Sequence, residues 1–321
     1  LKTQKIVSFK SPLEGSVEII RQTFTAAREK PVKRIAFLAG LHGDELEGVY
    51  ICHRLIETLQ QLKDTRPQAF QGEIHVYPAV NPKALNCASR LSPFFLKDMN
   101  RQMGNEFDAS FTAQLAAALL NDLRASSDIV VDFHASNLHL KELPQIRIIE
   151  GFDKKLLPLA ALCNMDLIWV HPSAPVFEST LGLNLNRGKI PTLVVETGIC
   201  LRIHQNFCEQ ILAGMMNLMR QTGVLELDGP LPQVKQPLLV QPRQVALVQA
   251  RHSGLFVSDV PLGDRVNKGE TLGKIVDAVR GEILETVTFP ASGLLFTLRE
   301  QPATYQGAPL ARIALEESDP R

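Results

Sequence analysis

A histidine and a glutamate three residues apart, His42 and Glu45, sit in the stretch Leu38-Ala-Gly-Leu-His-Gly-Asp-Glu-Leu-Glu-Gly48. An imidazole and a carboxylate at that spacing converge on one point if the turn is helical, and both are zinc-type ligands. A catalytic zinc takes three such protein ligands plus a water. His134, at the end of the apolar run Asp128-Ile-Val-Val-Asp-Phe133, is the candidate third ligand. Asp132 lies two residues earlier on the same strand face, where a carboxylate can orient a metal-bound imidazole. Glu196 ends another apolar run, Ile190-Pro-Thr-Leu-Val-Val195. A carboxylate there can serve as the base beside a metal-activated water. Arg90, Asn100 and Arg101, read together with Asn81-Pro82, form a group suited to a carboxylate, which the planar guanidinium fork matches. Each residue also has a plain reading: a solvated loop pair, a strand-end imidazole bonded to a neighbour, a strand-end acid, solvated loop cations. Position after a buried strand, with Gly40 and Gly43 allowing a tight turn, raises the chemical reading over the plain one.

The elements that must position these residues follow from periodicity. Lys33 to Gly40 reads as a strand. Leu46 to Leu62 carries apolar residues at helical spacing: Leu46, Val49, Tyr50, Leu55, Ile56, Leu59 and Leu62. Further strands are expected at Glu73–Val80, Asp128–Phe133, Gln145–Glu150, Asp166–Val170 and Ile190–Val195, with Val17–Ile20 as an edge strand. Helices are expected at Ala113–Arg124, Lys154–Cys163 and Ile203–Met219. In the last, Ile203, Phe207, Ile211, Leu212, Met215 and Leu218 read as a core stripe. Residues 83–110 are irregular and polar, which inside a compact domain points to function. Alternating strands and helices imply an α/β domain with a mainly parallel or mixed sheet wrapped by helices. The carboxyl edge of such a sheet is where ligands bind, so residues distant in sequence can meet there.

Composition bounds the function classes. The chain has 321 residues, 45% of them apolar, and its 34 basic and 34 acidic residues cancel. That balance points away from nucleic-acid and membrane-surface partners. Cys52, Cys87, Cys163, Cys200 and Cys208 are scattered and odd in number; they read as reduced thiols of a cytoplasmic protein. His53, His75, His139, His171, His204 and His252 have no partner at ligand spacing and read as structural or surface residues. The proline-rich stretch Gly229–Pro237 marks a boundary, giving residues 1–228 and 229–321. The second part holds short strands, at 246–249, 254–257, 286–289, 293–298 and 310–314, and reads as an all-β module.

Five pieces occur in order over residues 38–198: Gly40-Leu-His-Gly-Asp-Glu45, Asn81-Pro-Lys-Ala84 with Arg90, Asp98-Met-Asn-Arg101, Asp132-Phe-His134 and Val195-Glu-Thr-Gly198. Together they resemble the succinylglutamate desuccinylase/aspartoacylase family of zinc carboxypeptidase-like hydrolases. Met99 and Phe133 stand where that family often has Leu. The resemblance implies one zinc held by His42, Glu45 and His134, with Glu196 as general base. It implies that Arg90 polarises the scissile carbonyl and that Asn100 and Arg101 hold a substrate carboxylate. The implied activity is hydrolysis of an N-acyl amino acid or related small amide, with a peptide-cleaving carboxypeptidase or a non-catalytic zinc-binding scaffold as alternatives. The partner is then a small molecule, with a homo-oligomer possible. The C-terminal module resembles a biotinyl/lipoyl carrier through Ser253-Gly-Leu-Phe256, Leu262–Gly269 and Pro290–Leu294. The turn near Asp277–Gly281 has no lysine, so a swinging-arm role is not expected there.

Overall fold

A computed structural model describes residues 1–10, 15–27, 29–93, 95–105, 108–229 and 233–315. Residues 94, 106 and 107 of the irregular segment and 230–232 of the proline-rich boundary lie outside the described residues.

In chain order the elements are β1 (Lys2–Lys10), β2 (Ser16–Phe24), β3 (Arg34–Ala39), α1 (Leu46–Thr65), β4 (Glu73–Tyr77), α2 (Pro82–Asn86), α3 (Phe111–Ser126), β5 (Ile129–Ala135) and β6 (Leu140–Ile149). They continue with α4 (Asp153–Ala160), β7 (Leu167–His171), α5 (Leu181–Arg187), β8 (Thr192–Gly198) and α6 (Gln205–Gln221). The remainder is β9 (Leu238–Val240), β10 (Val245–Gln249), β11 (Gly254–Ser258), β12 (Arg265–Val266), β13 (Thr271–Asp277), β14 (Glu282–Thr288), β15 (Gly293–Arg299), β16 (Ala303–Thr304) and β17 (Pro309–Leu315).

Thirteen of these strands form one mixed sheet, with the path β1-β2-β4-β3-β5-β8-β6-β15-β17-β10. Its centre, β4-β3-β5-β8, is parallel. Antiparallel pairs flank it, β2 with β4 on one side and β8 with β6 on the other. The central strands are buried on both faces, which is why they read as unbroken apolar runs. Ile35, Phe37, Val131 and Phe133 face a core with α1 and α6, while Ala36, Leu38 and Val130 face a second core with α3 and α5.

Four expectations need correction. Val17–Ile20 belongs to β2, which lies between β1 and β4 and is not an edge. The edge strand β1 is mostly exposed, so it carries no apolar signal. β6 starts five residues earlier than expected, because Pro144 reads as a break yet sits where the β6–β8 register shifts between Glu142 and Gln145. Ile203 precedes α6 and is 46% exposed, while Ile211, Leu212, Met215 and Leu218 are core. The fourth concerns residues 83–110, which contain the last turn of α2 and a short 3-10 turn at Met99–Arg101.

Strands beyond residue 229 continue the large sheet: β9 pairs with β7, and β15 pairs with β6. A second, four-stranded sheet, β14-β13-β11-β16, packs over them around Phe256, Leu272, Ile275 and Phe289. No helix among the described residues is long and apolar enough to cross a membrane.

Candidate active site

The turn between β3 and α1 is shaped by its glycines and braced from below. Gly40 has φ +79, a region costly for residues with a Cβ. Gly43 lies so close to α2 that a Cβ would meet the Ala84 carbonyl carbon at 2.0 Å. The Gly43 amide donates to Ser89 O at 2.9 Å, and Asn81 Nδ2 donates to Leu41 O at 3.2 Å. Asn81 is therefore buried beneath the turn and supports it; the expectation that it helps to bind a carboxylate is corrected. Glu45 occupies the residue before α1 and does not cap the helix with its side chain. Its carboxylate reaches toward the two histidines.

His42 Nδ1 lies 2.7 Å from Glu45 Oε1, and His134 Nδ1 lies 2.8 Å from Glu45 Oε2. One ligand atom from each of the three residues falls within 4.8 Å of the others, and all three side chains are buried. Each imidazole turns its far nitrogen to a carboxylate: His42 Nε2 to Asp98 Oδ1 at 3.1 Å, His134 Nε2 to Asp132 Oδ2 at 3.1 Å. Proton donation at Nε2 leaves a lone pair on each Nδ1, the atom that faces Glu45. Two lone pairs and a carboxylate facing one point repel unless a cation lies between them, so this donor set fits a divalent metal such as zinc.

The electrostatics agree. Burial pushes Glu45 up, but the two imidazoles outweigh it and hold the carboxyl at about 2. Burial disfavours the protonated His42 and His134, yet Glu45 with Asp98, and Asp132 with Glu45, raise both. The pocket thus calls for positive charge, supplied by protons where no metal is bound.

Glu196 stands opposite His134 in the β5–β8 register. Burial pushes its carboxyl up to about 7, against the lowering pull of Arg147 and His134. That is the range in which a carboxylate both accepts and returns a proton near neutrality. Arg90 bridges Asp98 Oδ2 at 3.1 Å and Glu45 Oε1 at 3.4 Å and is partly exposed. The Asn100 Oδ1 accepts from the Leu181 amide at 2.8 Å, tying the Met99–Arg101 turn to α5. Arg101 donates to Asn100 O at 2.9 Å. All eight expected site residues line one cavity of about 300 Å³.

That cavity also holds groups that sequence reasoning missed. Arg147, Glu142, Arg312 and His171 are on its wall. His171, expected to be structural or surface, is pushed down to about 3 by burial and by Arg147 and Arg312. The role of Asp98 in holding His42 was also unassigned, although it lies in a quoted motif. Polar residues at 142, 145 and 147 within a strand were the available signal. Gly198 of the Val195–Gly198 motif has a packing reason: a Cβ there would lie 2.1 Å from the buried Glu47 carboxylate, which accepts from His204 N at 3.0 Å.

With this geometry the fold places a group that could hold a metal ion, His42, Glu45 and His134, at the carboxyl edge of an α/β sheet. The succinylglutamate desuccinylase/aspartoacylase catalytic domain matches residues 31–222, and the chain belongs to that family. It is 26% identical over 290 residues to the N-alpha-acetyl-L-2,4-diaminobutyric acid deacetylase of Halomonas elongata, covering 86% of this chain and 80% of that protein. Among solved structures it is similar to a succinylglutamate desuccinylase/aspartoacylase from Rhodobacter sphaeroides, with TM-score 0.78 and 24% identity over 95% of this chain and 91% of that one. The product-bound ectoine utilization protein EutE (DoeB) from Ruegeria pomeroyi has the same fold, with TM-score 0.79 and 19% identity over 97% and 93% of the two chains.

Proposed function

We propose that the chain is a zinc-dependent amidohydrolase that cleaves an N-acyl amino acid into a carboxylate and an amine. The observation that carries this reading is the convergence of His42, Glu45 and His134 beside Glu196 in one small cavity. A zinc there supplies a Lewis acid for the carbonyl and lowers the pKa of a water. Glu196 takes a proton from the attacking water as the oxygen adds to the acyl carbon. Arg90 donates to the developing oxyanion; loss of one such donor costs about 2.7–4 kcal/mol of barrier. Glu196 then returns the proton to the leaving nitrogen as the C–N bond breaks. Asn100 and Arg101 hold the amino-acid carboxylate, and Asp132 with Asp98 fixes the two imidazoles. A cavity of about 300 Å³ is at the lower end of ligand sites and favours a small acyl amino acid over a peptide. The Halomonas relative's named substrate makes N-alpha-acetyl-L-2,4-diaminobutyrate one compound to include.

In this reading residues 1–228 are the hydrolase domain and 229–321 a β module that closes one side of the cavity. The test is elemental analysis of the purified protein and of His134→Ala, followed by turnover on N-acetyl and N-succinyl amino acids. One zinc per chain, lost or weakened in the variant, with turnover on the panel, is the expected result. Metal indifferent to His134 overturns the ligand set.

A further inference from the structure

The expected base faces two charged residues of β6, Arg147 and Glu142, which Arg312 joins from beyond residue 229. Arg147 on β6 pairs with Glu196 on β8, Nη1 to Oε1 at 3.2 Å. Its other terminal nitrogen, Nη2, donates to Glu142 Oε2. Glu142 is 1% exposed and acts as a hub. It also accepts from Gln145 Nε2 at 2.9 Å, Arg312 Nη1 at 3.0 Å and Thr297 Oγ1 at 3.4 Å. Thr297 stands opposite Glu142 in the β15–β6 register, and Arg312 is on β17.

The backbone explains why these side chains meet. On β8, Glu196 and Gly198 are two residues apart; their β6 partners, Gln145 and Glu142, are three apart. That one-residue excess is a bulge at Leu143-Pro144, and it reverses the alternation of side chains. Glu142 is thereby turned to the face that carries Gln145, Arg147 and Glu196. Without the bulge it would point to the opposite face. Both guanidiniums also stand over Trp169, at 5.6 and 5.7 Å from the ring centroid, which restricts them further.

The pairing leaves Glu196 with one pinned oxygen. The ion pair draws Oε1 to Arg147, and among the described residues no hydrogen bond reaches either carboxylate oxygen, so Oε2 can serve an attacking water. Arg147 is committed to two carboxylates, so a substrate anion would have to displace one of them. An arginine suits this task because its planar fork serves two acceptors at once, which a lysine cannot do with fixed geometry.

We infer that Arg147 is a positioning residue for the general base, and that Arg312 of the C-terminal module holds it there through Glu142. This rests on the reading of Glu196 as the base. The chemical steps of the reaction are unchanged; Arg147 sets where the accepting oxygen lies. Misplacing a reacting group by about 1 Å costs up to about a hundredfold in rate. Arg147→Met should therefore lower kcat by about 30- to 100-fold with KM within about threefold, and Arg312→Met, one step removed, by about 3- to 10-fold.

The test uses the zinc-loaded 321-residue chain with the best substrate of the N-acetyl and N-succinyl amino-acid panel. The variants are Arg147→Met, Arg147→Lys, Arg312→Met, Glu196→Gln and the Arg147→Met/Glu196→Gln pair. The expected pattern is a fall in kcat, partial recovery with Lys, and no further loss when Arg147→Met is added to Glu196→Gln, since groups acting as a unit are non-additive. The same pair, in metal-free protein, should be non-additive in its urea midpoint. Raised KM at unchanged kcat assigns Arg147 to substrate binding and overturns the inference, as does full additivity. If Arg147→Met fails to fold, Arg312→Met decides: near-normal kcat overturns the role of the C-terminal module. Retained turnover in Glu196→Gln, or no turnover of the unmodified chain on any panel member, removes the base itself. A dead Glu196→Gln with near-normal Arg147→Met overturns only the positioning role.

Discussion

At Glu196, burial outweighs the lowering pull of Arg147 and His134, and the Glu142 and Glu45 carboxylates add to the rise, which leaves the carboxyl at about 7. A base works ionised, so kcat/KM should rise with pH along an acidic limb. Bound zinc, a nearby positive charge, pulls the group down, so the limb lies at or below about 7. A pH profile with its acidic limb above that value counts against Glu196 as the base. The same shift bears on stability. The folded pKa lies above the ordinary value of 4.5, so the group favours folding below about 4.5, and that contribution is lost as pH rises through about 7. In metal-free protein, Glu196→Gln removes the cost of a buried charge and should stabilise the fold at pH 8 by about 1–3 kcal/mol, with little effect at pH 4. Urea midpoints at both pH values check this; an equal shift at each would show that titration is not the cause. His42, Glu45, His134 and Glu196 were legible in sequence because each lies at the carboxyl end of a buried apolar run or just beyond it. Arg147, Glu142 and Arg312 were not, because a bulge decides which way Glu142 points and a strand far along the chain supplies Arg312.

At the scale of elements, the first turn is the feature most exposed to a single change. The glycines at 40 and 43 were expected to serve one purpose, tight turning, but they serve two. Gly40 needs its positive φ, whereas Gly43 is needed because α2 packs against it. Gly43→Ala places a Cβ against backbone atoms of Ala84 and Leu85, which have no flexible end to swing away. The turn must shift, and His42 and Glu45 shift with it. Overpacking of this kind costs about 1–3 kcal/mol, and disturbed ligand orientation lowers metal affinity by about 10- to 100-fold. Competition with a zinc-chelating dye reads the second effect, and an unchanged affinity would show that the turn tolerates the bulk. The main strands and long helices were readable from periodicity. α5 was not, because seven residues are too few to display a helical period, and β1 was not, because an exposed edge strand has no buried face to mark it.

At the scale of the whole molecule, the two parts expected from the proline-rich boundary share one sheet. β9 extends it beyond β7, and β15 and β17 extend it beyond β6. Composition registered the change in strand length and turn residues near residue 229, but pairing across the boundary has no sequence signal. A chain ending at residue 228 would open the edges of β6 and β7, and exposed sheet edges pair with other chains. It would also bare Leu143 and Leu167, which pack with Val240, Phe296 and Ala314. Glu142 would lose Thr297 and Arg312 while remaining near Arg147 and Gln145. We expect residues 1–228 alone to aggregate, or to stay in solution with turnover reduced by about 100-fold or more, as for a misplaced reacting group. Sedimentation and assay of the truncated chain distinguish these results from the contrary one. A monomeric, fully active fragment would mean that β9, β15 and β17 merely cover the hydrolase sheet, and that the base keeps its geometry without Arg312.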